Sequence, residues 1–315
     1  MMLSKEQYEL TRKWMYKNAR PLDLTRFKYH FEGGNKEAVL EALAVYQNKD
    51  GGFAHALEAD SWNPNSSPIQ TWTATEIIKE INVTDRGNSI IQGILKFLDS
   101  GIDFNGHVWY NTILSNNDYP HAPWWHTESI SSCHNNYNPT ACLAGFALAY
   151  AKKDSNLYVT SVRIAKEAID AYLSEEGVVD MHTTHCYIRL MEYIEISGST
   201  ELFEFTKLVY KLKEQVRRAI TQDIAEWEGG YICKPSQFID NNKSIFYAEN
   251  QTTANYEQEF IIRTQLEDGT WMIPWSWSLY PEEWTISKNW WKGNNAIKNV
   301  LYLRGMEEGY GENSK

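Results

Sequence analysis

The feature that most constrains this chain is a loop that occurs twice, QNKDGGF at 47–53 and QLEDGTW at 265–271. Each places a glutamine four residues before a glycine and an aromatic two residues after it. Each also closes a stretch with helical spacing. In KEAVLEALAVYQ at 36–47, Val39, Leu40, Leu43 and Tyr46 fall on one helix face. Asp50-Gly51-Gly52 then breaks the helix. Ahead of the second loop, Phe260-Ile261 precede Gln265 in a matching frame. Partial copies follow the same grammar. Phe97-Leu98 lead to Gly106 and Val108, and Ile220 leads to Gly229 and Tyr231, with Ala225 in the glutamine slot. The Tyr172-Leu173 helix fits only at its start. The pattern is that of a tandem repeat of roughly 40–75 residues, each copy a helix pair.

The rest of the chain agrees. Helices are predicted at 5–18 with Ser4 as N-cap, then at 36–47, 68–81, 88–100, 140–153, 156–174, 181–197, 200–221, 253–265 and 286–304. The stretch 19–35, ending in Gly33-Gly34-Asn35, reads as a connection. Few segments alternate as strands do, so the expectation is one all-α domain over 1–315. A helix pair with one apolar stripe on each helix cannot bury both faces alone. Stacking pairs buries them, and closing the array removes the exposed ends. The glycines permit tight reversal, and the glutamine can satisfy orphan backbone groups at a helix end.

The stretch F-I-x-x-x-Q-x-x-D-G-x-W at 260–271 resembles the QW motif of the class II terpene cyclase and squalene-hopene cyclase superfamily, and 47–53 is its Phe-ending form. It is also similar to the beta subunits of protein prenyltransferases. The resemblance implies an α/α toroid of five to six helix pairs around a central cavity. The D-x-D-D acid motif of the cyclases is absent, and the prenyltransferase zinc set has no clear match. What carries over is therefore where to look, and no catalytic residue.

A net charge of -11 and the lack of a basic cluster beyond Arg217-Arg218 set nucleic acid aside. The N-terminal stretch has no apolar run and no segment is long and apolar enough to span a membrane, so a cytoplasmic protein is expected. Cys133, Cys142, Cys186 and Cys233 form no C-x-x-C pair, which fits reduced thiols. With 13 Trp and 19 Tyr, the chain needs a large core or an aromatic-lined cavity.

Four long loops concentrate chemistry-bearing residues. The first carries His55, Glu58, Asp60 and Trp62; the second His121, Trp124, Trp125, His126 and Glu128; the third Asp180, His182, His185, Cys186 and Tyr187; the fourth Trp271, Trp275, Trp277 and Trp284. In a toroid such loops converge on one mouth of the cavity. Aromatic faces stabilise cations and also stack on sugars, so they do not choose a substrate. Asp60, beside Glu58 and His55, is the first candidate for a protonating acid, and Asp180 the second. His182 and His185, with Cys186, form a weak metal candidate. No cofactor motif is present, since no glycine pair is followed by G-K-[ST]. The leading expectation is a cyclase-like or lyase-like enzyme acting on an apolar or isoprenoid small molecule. The alternatives are a carbohydrate-active toroid using two carboxylates, or a binding module without chemistry.

Overall fold

The computed structural model describes residues 2–130 and 137–307. Among them are eleven α-helices and no strand beyond isolated bridges. No helix is long and apolar enough to cross a membrane. The chain divides into two compact units, Leu43–Gln215 and the pair of segments Met1–Ala42 with Val216–Lys315. Two helices, α3 (Lys36–Ala44) and α9 (Phe205–Ala219), run through the points of division.

The first unit to consider holds α4 (Pro68–Glu80), α5 (Ser89–Asp99), α6 (Thr140–Tyr150), α7 (Asn156–Ser174) and α8 (Met181–Ser197). All eleven residues of α6 are buried. An apolar helix with no polar face can only sit at a centre, and α6 packs against α4, α5, α7 and α8. Gly145 allows its closest approach, because a Cβ there would press on Leu190 Cα and Tyr193. The flanking helices begin at side-chain caps. Ser67, Asn88, Ser155 and Asp180 each accept hydrogen bonds from first-turn backbone N–H groups of α4, α5, α7 and α8. Gly198, in the left-handed region, ends α8.

The other unit holds α1 (Lys5–Asn18), α2 (Pro21–Phe31), α10 (Tyr247–Arg263) and α11 (Pro281–Gly305). Ser4 and Gln7 form a reciprocal capping box at α1. Helix α2 occupies the stretch expected to be a connection. Its buried face carries Asp23, which accepts from Arg20 Nε at 2.7 Å and from Arg26 at 3.0 Å. A polar buried face hides the apolar periodicity that sequence reading relies on. Pro21 at the first helical position was the signal present.

The repeated turn has a defined job in each unit. Gln47 Nε2 donates to Gly51 O at 2.9 Å and to Ile90 O of α5 at 3.1 Å. Gln265 Nε2 donates to Gln7 O at 3.0 Å and to Thr11 Oγ1 of α1 at 2.8 Å. Each turn is thus pinned to a neighbouring helix. The glycines are obligatory: Gly51 (φ 98°) lies on Gly93 O, and Gly269 (φ 86°) lies on the backbone of Leu10 and Thr11, so a Cβ at either would collide. The closing aromatics, Phe53 and Trp271, are buried, and Trp271 Nε1 donates to Ile261 O at 2.8 Å. Two further turns use a side chain from a later helix. Gln215 of α9 donates to Gly177 O at 2.8 Å, and Arg163 of α7 donates to Gly106 O at 2.5 Å. The glutamine slot is therefore one solution to a recurring need, which explains why only two copies carry it in register.

Candidate functional site

A line of charged side chains lies between α4 and α8. On α4, Trp72, Glu76 and Lys79 are spaced four and three apart. On α8, His185, Arg189 and Glu192 are spaced four and three apart. Such spacing gives each helix one polar stripe, and the two stripes meet. Glu76 Oε2 lies 2.9 Å from His185 Nε2. Arg189 Nε donates to both Glu76 oxygens, at 3.2 and 2.8 Å. Arg189 also donates to Glu192 at 2.8 Å, and Lys79 Nζ stands 3.1 Å from Glu192. The five side chains keep 11–27% of their surface exposed. They form a line of alternating charge whose end, His185, meets the edge of Trp72 at a ring separation of 6.2 Å. The buried Nε1 of Trp72 has no hydrogen-bond partner among the described residues.

The electrostatics favour an ionised Glu76. Burial pushes its carboxyl up, but Arg189 and His185 more than offset this and hold it well below the usual carboxylate range. Glu192 follows the same logic, with burial opposed by Arg189 and Lys79. Beneath them the Cys142 thiol, 3.6 Å from Glu76 Oε1, is pushed well up by burial and then by Glu76. An ionised carboxylate only accepts hydrogen bonds, so His185 presents Nε2–H to it. Proton exchange by the ring then falls to its other nitrogen. A carboxylate that fixes a histidine's tautomer and orients its ring is an arrangement that acid/base sites use.

The sequence singled out His185 but neither Glu76 nor Arg189. The available signal was a charged residue every third or fourth position in helices otherwise apolar. The other candidates land as follows. Asp180 is the N-cap of α8, its Oδ1 accepting from His182 N and Thr183 N at 3.0 Å each. Glu58 and Asp60 are buried in their loop, where Glu58 Oε2 accepts from Asp60 N at 3.0 Å. His55 is exposed, and its Nε2 lies 3.0 Å from Asn48 Oδ1.

The first and second loops do come together. Ala122 N donates to Asp60 O at 2.8 Å, and Trp62 N to Pro120 O at 2.9 Å. His126 stacks on His121 with centroids 5.6 Å apart and contacts Glu128 at 3.3 Å. Trp124 is 47% exposed, while the buried indole nitrogen of Trp125 lacks a partner among the described residues. His182 is exposed. Tyr187 is a core residue, stacked on Tyr172 at 4.1 Å with its hydroxyl donating to Ala168 O. Cys186 is buried, 3.5 Å from Asn138 Oδ1. Among the described residues no three His, Cys, Asp or Glu side chains converge as metal ligands. Cys142, Cys186 and Cys233 are free thiols, and Cys133 lies outside the described residues. Trp275 and Trp277 belong to the other unit, against Tyr231 and Trp291 and against Trp284 respectively.

A second feature of the same unit is an open cleft of about 620 Å³ lined by Asn48, Asp50, Asn65, Ser66, Asp103 and Ser115, among others. Burial, with the charge of Asp50 second, pushes Asp103 up to about 6. Asp50 accepts from Ser66 Oγ at 2.8 Å.

Comparison with family models finds no match, and comparisons with curated proteins and with solved structures find none either.

Proposed function

We propose that the helix pairs are repeats of an α/α toroid of the terpene cyclase and prenyltransferase kind, and that the protein is a lyase-like enzyme acting on a small molecule. His185 moves the proton. Glu76 orients its ring, and Arg189 holds Glu76 in place. The observation that supports this reading is the 2.9 Å pairing of His185 with a carboxylate that Arg189 and His185 together keep ionised. The chemistry bears on the substrate. An imidazolium is too weak an acid for an unactivated alkene, whereas it suits a leaving oxygen or a C–H beside a carbonyl. This reading gives His185 the proton-transfer role that the sequence suggested for Asp60 or Asp180. The test is turnover of polyprenyl diphosphate and uronate-containing oligosaccharide panels by the native protein, His185→Gln and Glu76→Gln, with helicity checked by circular dichroism. Activity lost in folded His185→Gln supports the reading, and activity retained there refutes it.

A second reading, carbohydrate cleavage by two carboxylates, is favoured by the Asp50–Asp103 cleft. A carboxyl raised to about 6 beside an acceptor carboxylate suits a general acid. Asp103→Asn separates it from the first reading, since it leaves His185 and Glu76 untouched.

A further inference from the structure

The two pinned turns carry the same aspartate and treat it differently. Asp50 follows Gln47 by three residues, and Asp268 follows Gln265 by three. In both, Oδ1 closes the turn: Gly52 N donates to Asp50 Oδ1 at 2.9 Å, and Thr270 N to Asp268 Oδ1 at 2.9 Å. A hydroxyl adds a second bond to that oxygen, Ser66 Oγ at 2.8 Å in the first turn and Thr270 Oγ1 at 2.5 Å in the second. The remaining oxygens differ. Asp268 Oδ2 receives an ammonium, Lys292 Nζ of α11, at 2.9 Å. Asp50 Oδ2 receives no donor among the described residues, and Asp50 lines the open cleft described above.

That cleft holds a second carboxylate, Asp103, which is half-buried. Its carboxylate makes no hydrogen bond or ion pair among the described residues, and burial and the charge of Asp50 both disfavour its ionised form. The cation in the lining, Lys49, is exposed and pairs with neither aspartate among the described residues. Two carboxylates that share a cleft repel each other, and a hydrogen-bonding cation between them removes that cost. The Asp268 turn shows which cation this oxygen takes when one is supplied, a primary ammonium. The rest of the lining suits hydroxyl groups. Ser115 Oγ accepts from Asn63 Nδ2 at 2.8 Å, which leaves its own hydrogen to donate. Asn65 Nδ2 donates to Asn63 Oδ1 at 3.0 Å, which leaves Asn65 Oδ1 to accept. Ile102 and Ile113 add apolar surface.

We infer that the cleft binds amino sugars, the ammonium standing to Asp50 and Asp103 as Lys292 stands to Asp268. This rests on the carbohydrate reading of the cleft and names its substrate class, cationic hexosamines in preference to neutral or anionic sugars.

The test titrates the full chain at pH 7 with the methyl glycosides of glucosamine, glucose, N-acetylglucosamine and glucuronate, and with spermidine as a cation without hydroxyls, by isothermal titration calorimetry. The glucosamine glycoside is expected to bind at least about tenfold tighter than the other three sugars, the scale of one hydrogen bond to a charged group. Asp103→Asn and Asp50→Asn, each checked for native helicity by circular dichroism, are expected to bring it down to the affinity of the glucose glycoside. Equal affinity of the native protein for the glucosamine and glucose glycosides overturns the inference, as does a preference that survives in both folded variants. Spermidine binding as tight as the glucosamine glycoside, or binding of none of the probes, overturns it too. Cleavage of neutral oligosaccharides that Asp103→Asn abolishes would, beside any of those results, keep the carbohydrate reading while this inference falls.

Discussion

Glu76 and His185 are 109 positions apart in sequence and 2.9 Å apart in space, joined by α4 and α8. Neither residue explains its own placement. A carboxylate midway along α4 costs folding free energy unless it is paired. His185 and Arg189 supply the pairing, and the same contacts that stabilise the carboxylate fix the orientation of the imidazole.

Removing one member should expose how much the line depends on it. Glu76→Gln leaves Arg189 and His185 facing a neutral amide. A loss of about 2 kcal/mol is expected, below the value for a fully buried pair because a fifth of the Glu76 side chain is exposed. Urea unfolding measures it. A loss below about 0.5 kcal/mol would place Glu76 among ordinary surface ion pairs.

The pH dependence has a definite sign. Glu76 and Glu192 titrate lower in the folded protein than in the unfolded chain. Their contribution is present above the unfolded carboxylate value of about 4.3 and is lost as the pH falls toward the folded values. Stability should therefore drop between about pH 4 and 2, and the drop should be smaller in Glu76→Gln. Asp103 runs the other way. Raised to about 6, it favours folding below the unfolded value and loses that contribution as pH rises through 6. Asp103→Asn should be near neutral at pH 4 and stabilising by about 1 kcal/mol at pH 8, a figure reduced for partial exposure.

The turn glycines can be ranked against each other. Gly51→Ala meets both a left-handed backbone and the carbonyl of Gly93, and is expected to cost about 3 kcal/mol or more. Gly33→Ala has the left-handed backbone (φ 69°) with open space around it, and should cost about 1 kcal/mol. Thermal unfolding of the two variants is sufficient. Equal losses would mean that the Gly51–Gly93 approach carries no energy.

A cap is distinguishable from an acid by substitution. Asp180→Ala should lose about 1 kcal/mol, whereas Asp180→Asn should retain most of it because asparagine also caps. If Asp180→Asn instead abolishes an activity while stability is kept, the carboxyl has a chemical role beyond the cap.

The helical architecture was legible where caps and apolar periodicity coincide. The predicted spans 5–18, 156–174 and 181–197 match α1, α7 and α8. At their starts, Ser4, Ser155 and Asp180 cap the first turn. Helix α2 was not legible because Asp23 and Arg26 sit on its buried face, where periodicity expects apolar residues. The pinned turns were half legible. Gln47 and Gln265 announce themselves within their own loops, while Gln215 and Arg163 reach turns 38 and 57 positions away. The candidate site divides the same way. His185 stood out as a histidine in a polar helix start, but Glu76 looked like one carboxylate in an apolar helix until α8 was folded against it. Tyr187 looked like a cavity aromatic and is core, because one helical step separates the polar stripe of α8 from its buried side.

The most direct measurement is solvent deuterium incorporation into the turned-over substrate from the polyprenyl and uronate panels, followed by mass spectrometry in D2O. A proton carried by His185 exchanges with solvent, so native protein should leave one deuterium at the reacting atom or accelerate its wash-out. His185→Gln should abolish the signal, and Glu76→Gln should reduce it by about 10²-fold or more. Undiminished incorporation by folded His185→Gln would contradict the assignment of proton transfer to this histidine.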